Sequence, residues 1–170
     1  VLESIRLFRS GFAISAEALE AALVLAEARG DLATQAVLLA ARGLQWLGSD
    51  AARARALFAR ATEAAEAAGD SELRSEVRTY IAVSLVLAGR MREAIAAFEE
   101  LLGDVPADVL DPRSTQLDLE GAAPATALGL LSFAYASVGD LPRAIDLGER
   151  MAARGVELGN RALEAQGQVF

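Results

Sequence analysis

The chain contains no cysteine, no histidine and no lysine, so all 16 of its positive charges are arginine. Without cysteine it forms no disulfide and no thiolate metal site, which leaves the compartment open but fits a reducing cytoplasm. Without histidine or lysine it lacks the usual general base near neutral pH, the imidazole metal ligand and the Schiff-base amine. We therefore expect a cytoplasmic protein that is not an enzyme and that uses neither a cofactor nor a metal.

Positive charge is also scarce overall. The formal net charge is -8 and the pI is about 4.6, which opposes direct binding to nucleic acid because that affinity comes largely from basic residues. Gly121 to Gly139 form an uncharged stretch, but Pro124 and Gly129 dilute its hydrophobicity, so we expect no membrane span. Residue 1 is Val rather than Met, which indicates a piece of a longer protein.

The residues that are present favour helices. Apolar residues make up 54% of the chain, alanine is the commonest of them, and no run alternates between apolar and polar residues as a strand does. Glycine stops, acidic or hydroxyl starts and first-turn prolines cut the chain into helices. The fold class is therefore predicted to be all-α, with about nine helices, at 1–9, 15–29, 32–47, 51–68, 71–88, 91–103, 123–138, 141–157 and 161–170.

A short pattern recurs along these helices. A glycine is followed by a small alanine, then by a bulky residue, then by a small or apolar one, and Ala54, Ala94 and Ala144 mark its three copies at separations of 40 and 50 residues. The copies comprise Gly48, Ala54, Phe58 and Ala61, then Gly89, Ala94, Phe98 and Leu101, then Gly139, Ala144, Gly148 and Met151. The first copy has one extra residue in its turn, and Gly148 replaces the bulky residue in the last.

The longer separation comes from an insertion of ten residues before the last copy. We expect residues 104–121 to form a solvated acidic loop, since five carboxylates there surround the single Arg113. A calcium site is the less favoured alternative, because the segment lacks the regular alternation and central glycine of a calcium loop. The carboxylates belong to Asp104, Asp108, Asp111, Asp118 and Glu120.

With these residues the chain resembles the tetratricopeptide repeat (TPR) family, and the best copy spans 75–106. Its matching residues are Ile81, Ala82, Leu85, Gly89, Ala94, Phe98, Leu101 and Pro106. The resemblance implies an α-solenoid of antiparallel helix pairs in a right-handed superhelix, with 1–170 as a single repeat domain. Since the 40-residue spacing exceeds the usual 34, the repeats look like those of large bacterial LuxR-type regulators and related signalling ATPases.

The resemblance also implies a binding surface, because the first helix of each TPR pair lines the concave groove. We expect an apolar strip there that holds a peptide or helix, with Arg42 meeting a carboxylate of the partner. The alternative is that curvature buries these residues in a filled seam between neighbouring first helices. The predicted partner-binding residues are Gln35, Leu38, Arg42, Trp46, Thr79, Tyr80, Val83, Leu87, Leu130 and Phe133.

Three functions remain open from the sequence. The favoured one is a scaffold that binds a protein or peptide through the concave face, within a bacterial transcriptional or signalling regulator. One alternative is a sensor that closes its groove on a small ligand or signal peptide. The other is a self-association module that uses the unpaired helices 1–9 and 161–170.

Other charged and glycine residues have simpler interpretations. Arg53, Arg55 and Arg60 form a basic edge that we expect to be solvated and balanced by Glu63 and Glu66. Glu99 and Glu100 belong to a charged solvent face rather than to a catalytic pair. Gly155 and Gly159 are predicted to stop a helix.

Overall fold

The computed structural model describes residues 15–103, 122–157, 159 and 161–168. These residues form α-helices joined by short turns, and within these ranges there is no strand. The all-α prediction is therefore confirmed for this part of the chain. The predicted helix 1–9 and the acidic segment 104–121 lie outside the described residues, and the solenoid arrangement remains a prediction.

The predicted helix boundaries agree with the structure to within one residue, except that the last helix ends earlier. Both ends of most helices carry the expected signals, so their positions follow from local chemistry. The helices are α1 Ala16–Arg29, α2 Leu32–Trp46, α3 Ala51–Ala68, α4 Ser71–Leu87, α5 Met91–Gly103, α6 Ala122–Ser137, α7 Leu141–Glu157 and α8 Arg161–Gly167.

Side-chain oxygens cap the first helices at their N-termini. The Asp31 carboxylate accepts the backbone N–H of Thr34 at 3.0 Å, and Asp50 accepts that of Arg53 at 2.9 Å. These bonds satisfy donors that have no partner within the helix. The backbone N–H of Thr34, and then its hydroxyl, also lower the pKa of Asp31. The acidic starts seen in the sequence therefore act as helix caps.

The same left-handed glycine turn precedes α5 and α7. Gly89 and Gly139 have φ angles of 72° and 87°, which glycine adopts without a steric penalty. In each turn the next residue, Arg90 or Asp140, donates its N–H to the carbonyl five residues back, at 2.9 Å in both cases. This pattern closes the C-terminus of the preceding helix. Two copies of the repeat thus share one turn geometry.

The turn of the first copy is built differently. Gly48 does not have a positive φ, and the N–H groups of Ser49 and Asp50 both donate to the carbonyl of Trp46, at 3.1 and 2.8 Å. This turn, which is one residue longer, therefore contains no left-handed glycine, and its backbone conformation does not require glycine. The shared feature of all three copies is the buried alanine that follows, since Ala54, Ala94 and Ala144 are almost inaccessible to solvent.

The described chain divides into two compact units, and the division falls between Ser84 and Leu85, inside α4. In the first unit α2 packs along both α1 and α3. A Cβ atom on Gly43 of α2 would come within 2.8 Å of the Phe58 ring on α3. The absence of a side chain at Gly43 therefore makes room on α2 for the ring of Phe58 on α3.

In the second unit α6 packs against α5 and α7, and α7 packs against α8. Phe98 of α5 is fully buried, and the Ser132 hydroxyl of α6 donates to the Ala144 carbonyl of α7 at 2.9 Å. Gly129 of α6 lies against Met151, because a Cβ there would be 3.5 Å from the Met151 methyl group. Met151 of α7 thus packs on Gly129 of α6, just as Phe58 of α3 packs on Gly43 of α2 in the first unit.

Gly155 does not stop a helix, so that prediction is wrong. It is buried within α7, where a Cβ atom would overlap the backbone of Glu164 in α8. A Cβ on Gly167 would likewise overlap the backbone of α7 at Gly148 and Ala152. Glycine is needed at positions 155 and 167 because the two helix backbones approach closely there.

Candidate partner-binding faces

The outward face of α6 is apolar and partly open to solvent. Phe133 is 43% exposed and Leu130 is half-buried, whereas Ala127, Leu131 and Ala134 on the opposite side are buried. The helix carries no charged residue. A helix that is apolar all round normally buries all of its faces. The exposed part of α6 is therefore a candidate contact surface for another molecule.

Polar contacts on the packed side fix the orientation of α6. The Tyr135 hydroxyl donates to Glu99 of α5 at 2.5 Å, and Arg143 of α7 lies 3.6 Å from the same carboxylate and 5.3 Å from the Tyr135 ring centroid. Burial, together with the bond to Glu99, raises the pKa of Tyr135. This cluster joins three helices, so it holds Phe133 on the outward side.

Arg42 is buried and contacts its own chain. Its Nη1 donates to the Ala16 carbonyl at 3.0 Å and lies 2.6 Å from the exposed carboxylate of Glu20. These contacts tie α2 to the N-terminal turns of α1. The carboxylate that Arg42 meets in this structure is therefore Glu20, and a contact with a partner remains a prediction.

Because Arg42 is buried and Glu20 is exposed, we expect unequal effects from removing each partner. Glu20→Gln leaves a buried cation with neutral acceptors only, which is costly, whereas Arg42→Met leaves a carboxylate that water can solvate. We expect Glu20→Gln to lower the free energy of unfolding by about 1 kcal/mol more than Arg42→Met. Urea unfolding followed by the fluorescence of Trp46 measures both, and an equal or reversed order would contradict the assignment.

The other predicted residues of α2 are also partly covered. Leu38 is buried, and the half-buried Gln35 donates its Nε2 to the Ala26 carbonyl at 3.2 Å. The guanidinium of Arg53 stacks 4.0 Å from the ring centroid of the half-buried Trp46, as cations do on aromatic faces. These contacts leave α2 little free apolar surface.

The predicted residues of α4 are mostly interior. Thr79, Tyr80 and Val83 are buried, and only Leu87, at the end of the helix, is exposed. The Thr79 hydroxyl donates to the Ser75 carbonyl at 2.9 Å. Burial, and to a smaller extent the Glu76 charge, raises the pKa of Tyr80. Three of these four side chains are therefore covered within the described residues, and their contact with a partner remains a prediction.

Of the ten predicted residues, seven lie in the first unit and three in the second. Leu130 and Phe133 share a face on α6, and Leu87 belongs to the same unit at the end of α4. A continuous strip through all ten residues remains a prediction. Other helices also expose apolar side chains, such as Val24 and Leu25 of α1 and Leu141 and Ile145 of α7, but these helices carry charged residues. Among the described helices, α6 combines exposed apolar side chains with a lack of charge.

The comparisons with known proteins assign no family: no family model, no curated protein and no solved structure matches the chain. None of the helices described is long and apolar enough to cross a membrane. No three or more acidic side chains in the described ranges are grouped so that they could hold a metal ion. The acidic segment considered for calcium lies outside those ranges.

One ion pair and one buried charge differ from what the sequence predicts. Arg60 pairs with Glu27 of α1 at 3.0 Å rather than with Glu63 or Glu66 on its own helix, and Arg154 is a buried residue of α7. The first pair joins residues 33 positions apart, which no local pattern indicates. The burial of Arg154 could have been predicted from the sequence, because Arg154 follows Leu147 and Met151 at the spacing of one helix face.

Proposed function

We propose that this chain is a non-enzymatic helical-repeat scaffold of the TPR type that binds a protein or peptide partner through the outward face of α6. The exposed Phe133 beside Leu130, on a helix without charge, carries the proposal. A solvent-exposed aromatic on an apolar helix face is the kind of residue that anchors protein interfaces. The parent protein would be a bacterial transcriptional or signalling regulator.

The repeat character is supported by equivalent residues in equivalent places. Ala94 and Ala144 each lie five residues after a left-handed glycine. Ala54, Ala94 and Ala144 are all buried in the first turn of their helices. Stacked repeats of this kind present the first helix of each pair to partners. By this pairing α6 is a first helix, and its outward face would line the concave surface.

The chemistry of the α6 face favours an apolar, helical partner segment. Leu130 and Phe133 lie three residues apart, so together they form a ridge along one side of the helix. Such a ridge fits between side chains at i, i+3 and i+4 of an amphipathic helix. Full burial of a Leu or Phe side chain stabilises a complex by about 1.5 to 3 kcal/mol. The lack of charge on α6 disfavours a partner that depends on salt bridges.

The test is a selection from a phage-displayed library of amphipathic helical peptides, followed by affinity measurement on a synthetic peptide. We expect Phe133→Ala to weaken binding at least tenfold, because a tenfold change corresponds to about 1.4 kcal/mol and a central aromatic contributes more than this. Val156→Ala is the matched control, since Val156 is 63% exposed on α7 and should leave the affinity unchanged.

Two results would oppose the proposal. One is the absence of any enriched peptide from repeated selections with the folded wild-type chain. The other is a selected peptide whose affinity falls with Val156→Ala and not with Phe133→Ala. Far-UV circular dichroism of both variants ensures that the comparison is between folded proteins.

A further inference from the structure

Arg154 carries a charge into the interior of the second unit. Its side chain is 8% exposed, and it lies on the side of α7 that also carries the buried residues Leu147 and Met151. A guanidinium in apolar surroundings interacts strongly with an anion, because water competes poorly there. The same surroundings make an unpaired cation costly.

The guanidinium uses only part of its hydrogen-bonding capacity. Nη1 donates to the Glu157 carboxylate at 3.3 Å. Nε and Nη2 are buried, and neither has a hydrogen-bond partner among the described residues. These two nitrogens form one edge of the planar group, the edge that binds a carboxylate through two parallel hydrogen bonds. A buried polar edge without a partner requires an explanation.

We propose that Arg154 anchors a binding site for a monocarboxylate with an apolar body. The free edge of the guanidinium supplies two hydrogen bonds to the carboxylate, and the side of α7 with Leu147 and Met151 supplies apolar surroundings. The Glu157 carboxylate beside Nη1 and the net charge of -8 disfavour a dianion such as phosphate. The ligand is either a free carboxylic acid or the C-terminal carboxylate of a peptide.

The two free nitrogens are closed to solvent, which constrains how a ligand arrives. Local opening around Arg154 must precede binding, so we expect slow association. The site lies on α7 and does not depend on the proposed binding face on α6. Either proposal can therefore be disproved without affecting the other.

The experiment measures thermal stability and calorimetric binding of the full chain at pH 7 with two matched pairs of probes. Hexanoate is compared with hexanamide, and a short apolar peptide with a free carboxyl end is compared with its carboxamide. A ligand that binds only the folded state raises the melting temperature. We expect a rise with hexanoate, with the free-ended peptide or with both, and none with the amides. Response to one probe alone identifies the source of the carboxylate.

Variants of the arginine give the residue-level test. Arg154→Met should abolish the rise in melting temperature. Arg154→Lys should weaken binding at least tenfold, because an ammonium cannot form the two parallel hydrogen bonds that a guanidinium makes to a carboxylate. Arg150→Met is the control, since Arg150 is exposed on α7 and pairs with Asp146 at 3.8 Å. It should leave the response intact.

Several outcomes overturn the proposal. Equal binding of the amides, an unchanged response in Arg154→Met, or no binding of any probe would each do so. A further arm replaces the carboxylates of Asp104, Asp108, Asp111, Asp118 and Glu120 by amides. If no probe binds, and this replacement destabilises the wild-type chain but not Arg154→Met, the anion is supplied by the chain itself and no ligand site exists.

Discussion

Phe98→Ala is expected to lower the free energy of unfolding by about 3 to 5 kcal/mol, the range found when a buried phenylalanine is truncated. Phe98 has no exposed surface and is the largest fully buried side chain of the described residues. Truncation removes apolar contact and leaves a cavity that rigid helices fill only partly. Urea unfolding followed by far-UV circular dichroism measures the loss.

The matched control for this truncation is Phe133→Ala. It removes the same atoms, but from a ring that is partly exposed on α6, so it should cost about 1 kcal/mol or less, as exposed substitutions usually do. The difference between the two variants isolates the contribution of burial. Equal losses in the two variants would show that Phe98 does not occupy the interior of its unit.

Gly155→Ala has the second-largest expected effect. The new Cβ atom would overlap the backbone of Glu164, which cannot rotate away as a flexible side chain does. Overpacking costs about 1 to 3 kcal/mol or more, and it outweighs the gain of about 1 kcal/mol from replacing a helical glycine by alanine. We therefore expect a net loss of stability, with α8 displaced from α7 and faster amide hydrogen exchange in α8.

Gly103→Ala is the control for this prediction. Gly103 ends α5, and a Cβ atom there would meet nothing within 4 Å, so this substitution should be neutral or slightly stabilising. If Gly155→Ala proved as stable as Gly103→Ala, with unchanged exchange in α8, the close packing of α7 and α8 would be refuted.

The sequence predicts the helices of this chain well because their ends depend on local chemistry. Asp31 and Asp50 cap the helices that follow them, and Gly89 and Gly139 adopt the left-handed conformation that closes the helices before them. Each of these effects acts within a few residues. The prediction for Gly155 is wrong because a glycine that allows two helices to pack closely has the same local signature as one that ends a helix.

Burial at the candidate site was harder to predict, since it depends on tertiary neighbours. The TPR resemblance implies that Val83 and Phe133, which are 50 residues apart as Ala94 and Ala144 are, both line the groove, yet the first is buried and the second is 43% exposed. The sequence also gives no sign that the carboxylate beside Arg42 is that of Glu20, on the preceding helix. No helical period specifies which neighbouring helix covers a face or which distant charge reaches it.

A nuclear magnetic resonance titration of the folded chain with a selected helical peptide tests the binding face on α6. We expect the perturbed resonances to cluster at Leu130, Phe133 and Ser137, on the outward side of α6, and Phe133→Ala to remove these perturbations. Perturbations centred on Val156, or spread without relation to α6, would contradict the assignment of the binding face.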